Sequence, residues 1–200
     1  MMMLVPVTTV AINHHMTTLG HFRLLKTSPT LRFVVFGAMC YTIVSVQGCF
    51  EALRSVSRVA HFTHYTVAHA HLGMYAFFTM VMFGAMYYVM PRLTHNEWSS
   101  AALIKVHFWT CALGVLAYFI DLSWAGWHQG LMMNNALIPF LKIVEYTKPY
   151  LVARSVAGSF MATGHVVFAF LMYRILRGGG QHPIGPTLLY NSIPSEASHE

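Results

Sequence analysis

The chain has 200 residues, of which 56% are apolar and only 9% charged, and its mean hydropathy is +0.53. A typical globular chain carries roughly 25% charged residues, so lipid rather than water must cover much of this one. A disordered chain, a disulfide scaffold and a soluble enzyme are thereby excluded. The net charge of +6 is scattered between apolar runs, which fits membrane loops and not nucleic acid.

A membrane-crossing helix needs about 20 apolar residues. Residues 4–16 are apolar but too short, and Pro6 interrupts them; they read as the second half of a helix. A loop with His21, Arg23, Lys26, Ser28-Pro29 and Arg32 follows. Four full-length runs come next, at about 33–53, 65–90, 102–127 and 151–176, the second ending at Met90-Pro91-Arg92. From Arg177 the triple glycine, Pro183, Pro186 and a Ser/Glu-containing end show no periodicity. The expected architecture is therefore all-α: a polytopic membrane helix bundle of four full transmembrane helices plus an N-terminal partial helix. Residues 1–176 form one unit, and 177–200 are expected to be a flexible tail.

Tyr87, Tyr88, Trp98, Trp124, Trp127 and Tyr150 stand at span edges, as an aromatic belt would. Cys40, Cys49 and Cys111 lie in apolar runs, too far apart for a CxxC pair, and read as buried small hydrophobes. The Met-Met-Met-Leu start lacks the basic region of a secretory signal. Loops on one side by parity carry Arg23, Lys26, Arg32, Arg92, Lys105, Arg174 and Arg177. The other side carries Arg54, Arg58, Lys142 and Lys148. This bias places the C-terminus in the cytoplasm.

Thirteen histidines against six acidic residues need a reason in a membrane protein. The informative segment is His61-Phe-Thr-His64-Tyr-Thr-Val-Ala-His69-Ala-His71-Leu-Gly, which opens the second full span. An ionisable side chain inside a span is expensive and marks function by default. Histidines at i and i+2 of a helix point about 200° apart. They cannot share one metal, but each can ligate its own centre, one per face. A helix held between two haems needs this spacing, and imidazole is a common axial ligand. Ala68, Ala70 and Gly73 would let flat macrocycles approach. In the plainer reading, both histidines face partner helices and bond to carbonyls.

From Pro6 to Tyr173 the sequence resembles the C-terminal part of subunit I of haem-copper oxidases, specifically the cbb3-type (C-family) cytochrome c oxidase. The matching features, in order, begin with Ser28-Pro-Thr-Leu-Arg-Phe33, Gln47-Gly48 and the His61–His71 segment. Tyr87-Tyr-Val-Met-Pro-Arg-Leu93, His107-Phe-Trp109, Gln129-Gly-Leu131 and Pro149-Tyr150 with Arg154 follow. The resemblance implies that this span is the tenth helix of twelve. His69 would be the proximal ligand of high-spin haem b3, and His71 one of two axial ligands of low-spin haem b. Residues 4–16 would end the eighth helix, in a bacterial inner membrane.

By the same resemblance, the copper-ligating histidines, the cross-linked tyrosine and the second haem b ligand belong upstream. This chain would hold no copper and no complete catalytic centre. Its partners would be the N-terminal part of subunit I, other oxidase subunits including membrane-anchored c-type cytochromes, and lipid. His14-His15 imitates an adjacent copper pair but falls at the cytoplasmic end of the eighth helix, and reads as interfacial. Gln47 stands where relatives commonly carry Glu.

His61 and His64 lie where haem propionates would be, and either pair with them or are plain interfacial residues. The same two readings hold for Arg54, Arg58 and Arg154. His107 and His128 read as interfacial or packing residues, and Asp121 and His165 as polar contacts between helices. Alternative functions are a nitric oxide reductase large-subunit fragment, which shares the HxH helix, and a non-catalytic membrane remnant or assembly protein.

Overall fold

The computed structural model describes residues 3–178, so most of the tail 177–200 lies outside the described residues. The helices in chain order are α1 (Leu4–Thr18), α2 (Leu24–Thr27), α3 (Pro29–Glu51) and α4 (Arg54–Ala60). They are followed by α5 (His64–Thr94), α6 (Ala101–Met133) and α7 (Phe140–Leu176). Helices α3, α5, α6 and α7 are long and apolar enough to cross a membrane. They correspond to the four expected spans, and α1 to the partial helix.

Local chemistry sets where the spans begin. Ser28 caps α3 by accepting from the Leu31 N–H, with Pro29 in the first turn. Thr63 accepts from Tyr65 N–H at the start of α5, and Ser100 accepts from Leu103 N–H at the start of α6. His95, in a left-handed conformation (φ 54°), stops α5.

Three features differ from the sequence expectation. Helix α7 starts at Phe140 rather than near 151. Lys142, Glu145 and Lys148 make the segment look like a loop by hydropathy, but Ile143 and Thr147, one turn apart, are both buried and hold the first turns. Pro149 sits inside the helix. Second, Leu72–Thr79 within α5 adopts π-helical bonding, which no periodicity announces. Third, Tyr87 and Trp98 are not belt residues. Both are buried, and Trp98 Nε1 donates to the Tyr87 carbonyl at 3.0 Å. The turn at His95 folds the 95–100 connection back beneath the bundle.

Two apolar clusters form the core. One gathers Phe33, Phe83, Tyr87, Trp98, Phe108 and Ile175 near the 95–100 connection. The other joins Val44, Ala68, Leu72, Tyr118, Leu122 and Met161 at mid-bundle. Cys40 and Cys111 are buried and Cys49 half-buried; all three are free thiols. In lipid, helices associate through close packing of small residues. Gly126 and Gly130 of α6 do this here: a Cβ at Gly126 would lie 1.9 Å from Tyr65 N, and one at Gly130 1.9 Å from Val59 O.

Candidate functional site

Helix α5 carries His69 and His71 less than two turns from its N-terminus, and their rings face different neighbours. His69 turns to α3. Its Nδ1 lies 3.4 Å from Gln47 Oε1 and 3.6 Å from Glu51 Oε1. Between these two, Gly48 gives the ring room: a Cβ there would stand 3.2 Å from His69 Cε1. His71 turns to α6. Its Nδ1 bonds to the Val67 carbonyl at 2.9 Å, and its ring stacks on Tyr118 at 4.4 Å between centroids, with planes 31° apart. Both rings are half-buried.

The hydrogen bonds fix the tautomers. The Val67 carbonyl only accepts, so His71 Nδ1 carries the proton and Nε2 the lone pair. Around His69 the Gln47 carbonyl oxygen and the Glu51 carboxylate act the same way on Nδ1. An imidazole anchored through Nδ1–H with Nε2 presented is the state that metal ligation uses. The donor set and the small residues around it therefore fit an axial haem ligand on each face.

The flanking candidates separate. The backbone N–H of His64 donates to Gln129 Oε1 at 3.0 Å, which ties the start of α5 to α6. Arg154 of α7 lies close enough to act electrostatically on His64, Tyr118 and Asp121. These four groups make one polar patch on the His71 side. His61 and Arg54 are exposed on the connection between α3 and α5. His61 stacks on Phe62 at 4.0 Å. No hydrogen bond or ring contact among the described residues joins His61 or Arg54 to His69 or His71.

Five of the other described histidines make contacts within or between helices. His14 packs on Tyr41, and His15 Nε2 lies 3.1 Å from Thr42 Oγ1, so the pair faces α3. His128 Nδ1 bonds to the Trp124 carbonyl at 3.0 Å. His107 is wholly buried against Tyr87, and His165 meets Tyr75. Glu51 and Tyr118 are site residues that the sequence reading missed. Glu51 was detectable as the residue one turn beyond Gln47; nothing in the sequence marks Tyr118.

The fold and the HxH helix define a polytopic α-helical membrane protein with an imidazole on each of two faces. Residues 1–160 match the family Cytochrome C and Quinol oxidase polypeptide I, and the chain belongs to this family of haem-copper oxidase subunits I. It is similar to the Cbb3-type cytochrome c oxidase subunit CcoN1 of Stutzerimonas stutzeri, 30% identical over 83% of this chain and 36% of that protein. It is also similar to the cytochrome c oxidase subunit 1 homolog of Agrobacterium tumefaciens (strain T37), 29% identical over 80% of this chain and 31% of the relative. A nitric oxide reductase subunit of Stutzerimonas stutzeri is 26% identical over 62% of this chain and 28% of that protein. The chain thus spans about a third of the length of the relatives it matches.

Proposed function

We propose that this chain forms the C-terminal part of a cbb3-type cytochrome c oxidase subunit I, with His69 as the ligand of haem b3 and His71 as a ligand of haem b. The observation that carries the reading is the pair of imidazoles on opposite faces, each anchored at Nδ1. The haems, when bound, supply electron transfer and oxygen binding. The chain's own residues orient them. Gln47 and Glu51 hold the His69 ring and make it a stronger donor; Val67 and Tyr118 do the same for His71. His64 and Arg154, with His61 and Arg54 at the rim, supply cationic and N–H partners for propionates.

The site is half of a catalytic centre. The copper ligands, the catalytic tyrosine and the second haem b ligand come from the N-terminal part of subunit I, so this chain alone does not reduce oxygen. In the complete enzyme it works with membrane-anchored c-type cytochromes and contributes to proton-coupled aerobic respiration. It lies in a bacterial inner membrane with its C-terminal end in the cytoplasm. The nitric oxide reductase reading is weaker, because that match has lower identity and covers less of the chain.

The test is a reduced-minus-oxidised difference spectrum, with and without carbon monoxide, of the chain co-expressed with helices one to seven of a cbb3 subunit I. His69→Ala is expected to remove the carbon monoxide-reactive haem and leave the low-spin signal. His71→Ala is expected to do the reverse. Both signals surviving both substitutions, or no haem in the co-expressed complex, would overturn the assignment. Nitric oxide reduction without oxygen reduction by the haem-loaded complex would move it to the reductase.

A further inference from the structure

Helices α5 and α7 run in the same direction on either side of α6. Contacts that ascend α5 descend α6, from Gly126 at Tyr65, through Tyr118 at His71, to Cys111 within reach of Tyr75. Contacts that ascend α7 descend α6 in the same way, from Gly114 at Met161 to Cys111 at Gly164. The three helices thus form a groove with α6 at its base. His71 lies on this side of α5, stacked on Tyr118 of the base. Val115, Ala157 and Met161 are buried there and keep the base apolar.

Two rungs cross the groove between α5 and α7. At one level Arg154 of α7 acts electrostatically on His64 of α5 and on Tyr118. At the other, the Tyr75 hydroxyl meets His165 Nε2 at 3.1 Å, with ring centroids 5.6 Å apart. His64 and Tyr75 stand 11 residues apart on α5, as do Arg154 and His165 on α7. At helical rise this is about 16 Å along α7, long enough for a macrocycle together with its propionates. His71 lies between the two levels. The rungs differ in chemistry: the first offers a permanent cation, and the second pairs a hydroxyl with an imidazole and carries no permanent charge. His165 is exposed and Tyr75 half-buried, so the second rung lies at the open side of the groove. An ionisable side chain inside a membrane-crossing helix belongs against a cavity or protein and not in lipid.

Resting on the reading of His71 as a haem b ligand, we propose that this haem sits lengthwise in the groove, with its propionates toward Arg154 and His64, and that the Tyr75–His165 hydrogen bond closes the far end and stops its apolar edge. Tyr75 and His165 are then positioning residues. They do not ligate iron; they fix how deep the ring sits against His71 and which edge leads. An inverted ring would bring two carboxylates to a rung without a permanent cation and leave Arg154 facing an apolar edge. Both ends of the groove therefore select the same orientation.

The test is the electron paramagnetic resonance spectrum of the oxidised chain co-expressed with helices one to seven of a cbb3 subunit I, read beside haem release to apomyoglobin. The largest g value of a low-spin haem reports how its axial imidazoles stand over the ring. Tyr75→Phe removes one oxygen and breaks the rung while His71 stays in place. It is expected to keep the low-spin haem, to broaden or split that line, and to speed haem release about two- to tenfold, the worth of one hydrogen bond. His165→Ala is expected to do the same, and replaces Tyr75→Phe should that variant lose helicity. His165→Gln keeps a partner for the Tyr75 hydroxyl and is expected to return the single line. Phe160→Leu, exposed elsewhere on α7, is expected to change neither reading. A line and a release rate shared by wild type, Tyr75→Phe and His165→Ala would overturn the positioning role, and so would an equal change in Phe160→Leu. A low-spin signal that survives His71→Ala would instead overturn the ligand assignment on which it rests.

Discussion

At the scale of single residues, Gly126 and Gly130 decide how closely α6 approaches the start of the HxH helix. Their would-be methyl groups collide with backbone, at Tyr65 N and Val59 O, which cannot swing away as a side-chain tip can. Gly126→Ala is therefore expected to lower stability at the upper end of the roughly 1–3 kcal/mol typical of overpacking, or beyond it. Gly158 of α7 faces open space, so Gly158→Ala should be neutral or gain up to about 1 kcal/mol from helix propensity. Thermal unfolding of both variants in the same detergent reads the difference, and equal Tm values would contradict the packing argument. The division between what the sequence tells and what it hides runs along the same line. The opposed faces of His69 and His71 follow from spacing on one helix, and the structure shows them facing α3 and α6. Tyr118 under His71 and the inward turn of Trp98 depend on which helices become neighbours, which periodicity does not encode.

At the scale of elements, the four spans and the partial helix were legible because hydropathy and length report them directly. The first turns of α7 were not, since three charged residues mask two buried ones, Ile143 and Thr147. The π segment Leu72–Thr79 was hidden for a different reason: one extra residue per widened turn leaves the apolar composition untouched. Thr79 Oγ1 donates to the Met74 carbonyl five residues back, at 2.8 Å, and Leu72 and Ala76 keep the widened face buried. The segment absorbs one residue between the half of α5 that holds His69 and His71 and the half that holds Tyr87. Deleting Phe78, exposed on this segment, is expected to convert it to ordinary α-helix with both halves still in register. Deleting Met86, in the regular part, rotates Tyr87 and Pro91 by about 100° away from α6 and is expected to lower Tm clearly further. If the two deletions unfold alike, the widened turn is not what reconciles the two halves.

At the scale of the whole molecule, the arrangement of connections constrains how the bundle sits in a bilayer. Asn134 Nδ2 donates to the Arg58 carbonyl at 3.1 Å, and Arg58 Nε reaches Asn134 Oδ1 at 3.5 Å. The α3–α5 and α6–α7 connections therefore share one end, the end nearer His69 and His71. Trp98 and Ile175 fall in one apolar cluster, so the 95–100 connection and the end of α7 share the other. That second end carries seven of the eleven loop and flanking Lys and Arg side chains, and short loops rich in these residues stay on the cytoplasmic side. By this rule the end nearer His69 and His71 is expected to point outward and the end that holds Tyr87 and Trp98 inward. Alkaline phosphatase, which is active only outside the cytoplasm, tests this directly. A fusion at Leu137, exposed on the α6–α7 connection, is expected to be active, and a fusion at Gly178 inactive. The reverse pattern would turn the bundle over and place Tyr87 on the outer side; activity at both sites would mean that α7 does not cross.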